Sequence, residues 1–137
     1  MTADERKPHL EAFIKLFPSS HTRDSLMPTL RRYSHAHFEV LVEVDLFPAV
    51  EKILKKGYRS ILVLTPSDKL PRFSEACKSK FFASITRYYT TGRSHPFFTA
   101  VLGKTVLRFI TEGSISCSTC GTSADAIFVI DPRSEAV

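Results

Sequence analysis

The sequence predicts a single-domain α+β protein with a mixed β-sheet and helices mainly on one face. The chain has 137 residues, of which 43% are hydrophobic and 24% charged, which is typical of one globular domain and excludes disordered, collagen-like and disulfide-dense proteins. A strand, a helix and a strand follow each other from His35 over about thirty residues, the length of a βαβ unit. The last third of the chain is strand-like throughout.

The first 34 residues are predicted to form a helical arm. Leu10, Phe13, Ile14 and Phe17 recur at helical spacing and would lie on one face. Residues 35–131 are expected to hold the sheet and two helices, and residues 132–137 a frayed tail. The longest apolar runs are far shorter than the roughly 20 residues needed to cross a bilayer, so no membrane span is predicted.

The βαβ unit is predicted from two strand patterns and one helix. From Phe38 to Asp45 apolar residues alternate with mostly charged ones, which indicates a strand with one face against helices. Pro48 and Gly57 then occupy the positions that such residues favour at the two ends of a helix. The nearly apolar run from Ser60 to Thr65 is the second strand.

A second helix is predicted from Leu70 to Tyr88, because apolar residues recur every four positions along it. After it, two strand-like segments, Phe97 to Leu102 and Thr105 to Thr111, flank Gly103 and Lys104, as in a two-residue hairpin. Residues 115–119 and 126–130 are predicted to continue this hairpin as an antiparallel C-terminal meander.

Charge separation is the most informative functional feature of the sequence. Between Lys52 and Lys104 there are eleven basic and two acidic residues, a net charge of +9, although the whole chain carries +5. Both predicted helices lie in this stretch, and a shared cationic surface attracts nucleic acids and other polyanions. The alternative is that basic helix faces only keep the protein soluble. The expected nucleic-acid contacts are Lys55, Lys56, Arg72, Lys78, Lys80, Arg87, Tyr88, Tyr89 and Arg93.

Cys117 and Cys120 form a Cys-x-x-Cys pair followed by glycine on a predicted turn. Two such thiolates supply half of a structural zinc site, and Cys77 or histidines would have to complete it. The alternative is a hairpin turn with two small buried side chains. Three cysteines are too few for a disulfide framework, which indicates a reducing, intracellular compartment, cytoplasmic or nuclear.

His35 and His37 are separated by one residue at the start of the first strand, so both imidazoles would point to one face and could bind a divalent ion. The pattern resembles the His-hydrophobic-His motif of rolling-circle replication initiators and single-tyrosine transposases. That resemblance implies His35 and His37 as metal ligands and Tyr88 or Tyr89 as the nucleophile that attacks DNA. The alternative is that the charged side of this strand faces water.

These observations leave three hypotheses about function. The first is a small basic module that binds RNA or DNA through a cationic helix surface, with a structural zinc as an added feature. The second is a metal-dependent nuclease or nickase, so the sequence leaves open whether the protein is an enzyme. The third is a protein interaction or homodimerisation module that uses the pairs Phe81-Phe82 and Phe97-Phe98 as its surface. The reason is that a domain this small does not readily bury all of its eleven phenylalanines.

Overall fold

A computed structural model describes residues 2–16, 36–41, 45–89, 97–111 and 124–130 and shows a single-domain α+β fold. None of the helices within these ranges is long and apolar enough to span a membrane. The helices are α1 (Ala3–Leu16), α2 (Leu46–Lys55) and α3 (Leu70–Ser79), with a short 3-10 helix at Ser67–Lys69 before α3. The strands are β1 (His37–Leu41), β2 (Ser60–Leu64), β3 (Ser84–Tyr89), β4 (Phe97–Leu102), β5 (Thr105–Ile110) and β6 (Ala126–Ile130).

The six strands form one mixed sheet in the order β1-β6-β2-β5-β4-β3. The first four strands in this order are parallel to one another, whereas β4 pairs antiparallel with both β5 and β3. The expected βαβ unit is present as β1, α2 and β2, but β6 lies between its two strands. The expected C-terminal meander therefore holds for β4 and β5 and is wrong for β6. All five residues of β6 are apolar and buried, as is typical of a strand covered on both faces.

Helices cover both faces of the sheet. Helices α2 and α3 share one face, where Phe73, Phe98, Phe109 and Phe128 are the largest buried side chains. Helix α1 lies on the other face, where the buried ring of Phe13 packs edge-on against Phe38, with ring centroids 6.2 Å apart. The predicted N-terminal helix thus covers part of the face that α2 and α3 leave open.

Helix α3 ends nine residues earlier than the sequence predicts, at Ser79 rather than Tyr88. The chain then turns and continues as β3, which pairs with β4 from Ser84 onwards. Phe81 and Ile85 still pack against the same core as Phe73, although they lie in a loop and a strand. The four-residue spacing therefore continues beyond the helix and does not mark where it ends.

Two glycine positions behave as the sequence predicts. Gly57 follows α2 with a φ of 77°, and Gly103 opens the two-residue turn between β4 and β5 with a φ of 59°. These are left-handed conformations that glycine adopts without steric cost. The second of these turns fixes the register in which Leu102 lies opposite Thr105.

Candidate nucleic-acid interface

Several connections of the fold lie along one edge of the sheet, the edge formed by strand ends and not by an outermost strand. We call it the amino edge because β1, β2, β3, β5 and β6 all begin there. Ser60 of β2 pairs with Val106 of β5, and Val101, opposite Val106 on β4, pairs with Ser84 of β3. The backbone N–H of Val106 donates to the carbonyl of Arg59 at 2.7 Å. The α2–β2 loop, the α3–β3 loop and the β4–β5 turn therefore all lie along this edge.

The amino edge collects cationic side chains from all three connections. Helices α2 and α3 end there, and cations in the last turn of a helix are stabilised by its macrodipole and its terminal carbonyls. The order of the strands sets the order of the cations along the amino edge. The cations of α2 lie nearest β1, Arg59 and the β4–β5 turn follow, and the end of α3 lies nearest β3. The cations are Lys52, Lys55, Lys56, Arg59, Lys78, Lys80 and Lys104.

These cations differ in whether a carboxylate neutralises them. Lys55 pairs with Glu51 of its own helix, α2, at 3.3 Å, and Lys78 pairs with Glu75 of its own helix, α3, at 3.7 Å. Both pairs are exposed. Exposed pairs of this kind contribute little and are easily exchanged for another anion. Arg59, Lys80 and Lys104 are exposed and form no ion pair with any carboxylate in the described ranges.

A half-buried polar cluster lies at the β1 end of the amino edge, centred on Glu39. Its carboxylate is 3.0 Å from Nε2 of His37 and 3.5 Å from Nζ of both Lys52 and Lys56. The Glu39 side chain is only 11% exposed, with His37, Lys52 and Lys56 against its carboxylate. The imidazole of His37 also stacks on Tyr58, with ring centroids 5.4 Å apart. The expectation that this charged side of the strand faces water is therefore wrong.

The electrostatics of this cluster keep Glu39 ionised. Burial by itself raises the pKa of the Glu39 carboxyl, but the hydrogen bond from His37 and the charges of Lys56 and Lys52 outweigh it, so the pKa is lowered. Glu39 consequently holds Lys52 of α2 and Lys56, which directly follows the helix, near the sheet. Its carboxylate also lowers the positive charge that this end of the amino edge presents.

The predicted metal sites depend on residues outside the described ranges. His35, Cys117 and Cys120 lie there, so the zinc at the two cysteines and the divalent ion at His35 and His37 stay predictions. Across residues 2–16, 36–41, 45–89, 97–111 and 124–130, no group of three or more His, Cys, Asp and Glu side chains is placed to hold a metal ion. Cys77, considered as a further ligand, is buried in the core, and this burial raises the pKa of its thiol to about 12.

The structure also separates His37 from the tyrosines that the nuclease hypothesis requires. His37 lies on β1 and Tyr88 and Tyr89 lie on β3, and these are the two outermost strands of the sheet. Five inter-strand spacings amount to about 24 Å. The described part of the chain does not bring these residues into one site.

Of the predicted nucleic-acid contacts, the structure brings Lys55, Lys56, Lys78 and Lys80 to the amino edge. Arg72 is in the first turn of α3, about 12 Å along the helix axis from Lys80.

The remaining predicted contacts lie elsewhere. The backbone of Arg87, Tyr88 and Tyr89 forms the second half of β3, where Tyr89 pairs with Phe97 at the opposite edge of the sheet. Arg93 lies outside the described residues.

The prediction missed Arg59 and Lys104 as contacts. Arg59 directly precedes a strand and Lys104 lies in the hairpin turn, so local sequence places each of them at a strand end. Only the pairing of β2 with β5 places them at the same edge.

Comparison with known proteins adds no further information about the site, since no protein family, curated protein or solved structure matches this chain.

Proposed function

We propose that this protein is an intracellular nucleic-acid-binding module and that the amino edge is its binding surface. The observation that carries the proposal is the arrival of Arg59, Lys80 and Lys104 at one edge from three separate connections, each exposed and none paired with a carboxylate of the described residues. A row of cations that form no ion pair within the described ranges fits a ligand that repeats its negative charge along its length, as a phosphate backbone does.

The lysines in ion pairs support the same ligand. Lys55 and Lys78 pair only with exposed carboxylates of their own helices, and a phosphate displaces such a carboxylate at low cost. Binding by this surface depends on released counterions, so the affinity falls steeply as salt rises.

The proposal is tested by fluorescence anisotropy with labelled RNA and DNA oligonucleotides over a series of salt concentrations. The test variant is Lys80→Glu with Lys104→Glu. Its matched control is Lys7→Glu with Lys15→Glu, two exposed lysines on α1 across the sheet. Both variants change the net charge of the protein by the same amount.

We expect the amino-edge variant to lose at least about tenfold in affinity at low salt and to show a shallower salt dependence, while the α1 variant loses much less. An equal loss in both variants would mean that only overall charge matters. No binding of wild-type protein to any of the oligonucleotides would reject the proposed function.

A further inference from the structure

Phe82 is the most exposed large apolar side chain among the described residues. It is 89% exposed, whereas the next two, Phe47 and Ile14, are 42% and 40% exposed. It also has a φ of 57°, the one positive φ at a non-glycine residue in the described ranges. A bulky side chain in the left-handed region is sterically unfavourable, and such conformations are concentrated at functional sites.

The neighbours of Phe82 explain why its ring points outward. Phe81 is half-buried and stacks on Phe47, with ring centroids 5.1 Å apart, and Ala83 is buried in the core. The N–H of Ala83 donates to the carbonyl of Cys77 at 2.8 Å, which closes the turn after α3. The chain is thus held on both sides of Phe82, at a position where glycine would satisfy the backbone without strain.

The charge around Phe82 identifies the kind of ligand that suits it. Lys80, two residues earlier, is exposed and unpaired among the described residues, and Lys78 has only an exposed partner in Glu75. An exposed aromatic ring beside cations that contact phosphates is the combination by which proteins hold single strands, because every unpaired base offers a face for stacking. In a duplex those faces are stacked on neighbouring base pairs.

We propose that Phe82 stacks on an unpaired base and makes single-stranded nucleic acid the preferred ligand of the amino edge. This inference rests on the proposed function and adds the ligand class and the residue that selects it. Phosphates along Lys80, Lys104 and Arg59 would hold the strand, and the ring of Phe82 would contact one base.

The stacking is measured directly with Phe82→Trp, because the chain contains no tryptophan and the new indole is the only one. Its fluorescence should be quenched when a single-stranded oligonucleotide is added. Ile14→Trp places the reporter at another exposed apolar site, on α1, where the native side chain is 40% exposed, and should show no quenching.

The contribution of the ring to affinity is measured with Phe82→Ala, using single-stranded and double-stranded oligonucleotides of the same sequence. We expect at least about fivefold weaker binding of the single strand and little change for the duplex. Equal binding of both forms by wild-type protein, or an unaltered affinity of Phe82→Ala, would overturn the stacking role while leaving the proposed function intact.

Failure of wild-type protein to bind any oligonucleotide would reject both proposals. Light scattering detects a different outcome, in which Phe82 holds two copies of this chain together as a dimer. A concentration-dependent dimer that Phe82→Ala abolishes, without fluorescence quenching by oligonucleotide, would assign the ring to self-association and overturn the inference.

Discussion

Replacing Glu39 by glutamine removes one negative charge from the half-buried cluster and changes its shape very little. The carboxylate accepts from His37 at 3.0 Å and lies 3.5 Å from the ammonium groups of Lys52 and Lys56. The substitution therefore weakens three interactions at once. We expect two results, a loss of stability that depends on pH and a gain in affinity for nucleic acid.

The size of the stability loss follows from these contacts. A hydrogen bond to a charged group is worth about 1.5–3 kcal/mol, and a neutral amide recovers about 1 kcal/mol of it. Each ion pair to a partly exposed lysine adds about 0.5 kcal/mol, and the lower desolvation cost of the neutral amide offsets part of the total. We expect Glu39→Gln to lower the free energy of unfolding by about 1–2 kcal/mol at pH 7.

The pH dependence has a definite sign. The folded state lowers the pKa of Glu39 below its ordinary value of 4.5, despite the opposing effect of burial, because His37, Lys56 and Lys52 favour the charged form. The stabilisation is therefore present above the unfolded-state pKa and is lost as the pH falls through the folded-state pKa. Urea unfolding of wild type and Glu39→Gln should differ most at neutral pH and converge in acid.

The matched control is Glu51→Gln, which removes an exposed partner of Lys55 at 3.3 Å. We expect it to cost less than about 0.5 kcal/mol. If Glu39→Gln were no more destabilising than this control, or if its effect were the same at neutral and acid pH, the account of the cluster would be refuted.

The same substitution also tests the amino edge as a binding surface. Without Glu39, Lys52 and Lys56 are released to contact phosphates. The plot of log affinity against log salt should steepen by about 0.7 for each lysine that engages a single strand. Unchanged affinity and slope in the anisotropy assay would place these two lysines outside the interface.

Three further predictions concern the stability and reactivity of the fold. Phe82→Gly should have a free energy of unfolding about 1 kcal/mol higher than Phe82→Ala, because glycine accepts the φ of 57° without strain. The urea midpoint of Phe82→Gly should therefore be higher, and equal midpoints would show that the turn is unstrained. Phe73→Ala should cost about 3–5 kcal/mol in urea unfolding, since its ring is 1% exposed. A loss below about 1 kcal/mol would mean that the core collapses around the change. In a Cys117→Ser, Cys120→Ser background, Cys77 should react with a thiol reagent only after unfolding, because burial raises its pKa to about 12; rapid reaction of the folded protein would contradict its burial.

The sequence by itself determined the features that depend on near neighbours in the chain. Hydrophobic alternation indicated β1, and a nearly apolar run indicated β2. Two strand-like runs on either side of a glycine turn indicated β4 and β5. Gly57 and Gly103 marked turns that require a left-handed residue. The basic character of the stretch that forms α2 and α3 was also evident, since it needs only composition and the positions of charges.

Only the tertiary structure decided which strands are neighbours and which cations share an edge. β6 lies between β1 and β2 because its fully apolar run is buried from both sides, a choice that depends on the whole sheet. The end of α3 was hidden because Phe81 and Ile85 extend its apolar spacing into a loop and a strand. Arg59 and Lys104 meet through the register of β2 with β5, and pairing between segments so far apart in sequence is set by long-range packing, which no local pattern encodes.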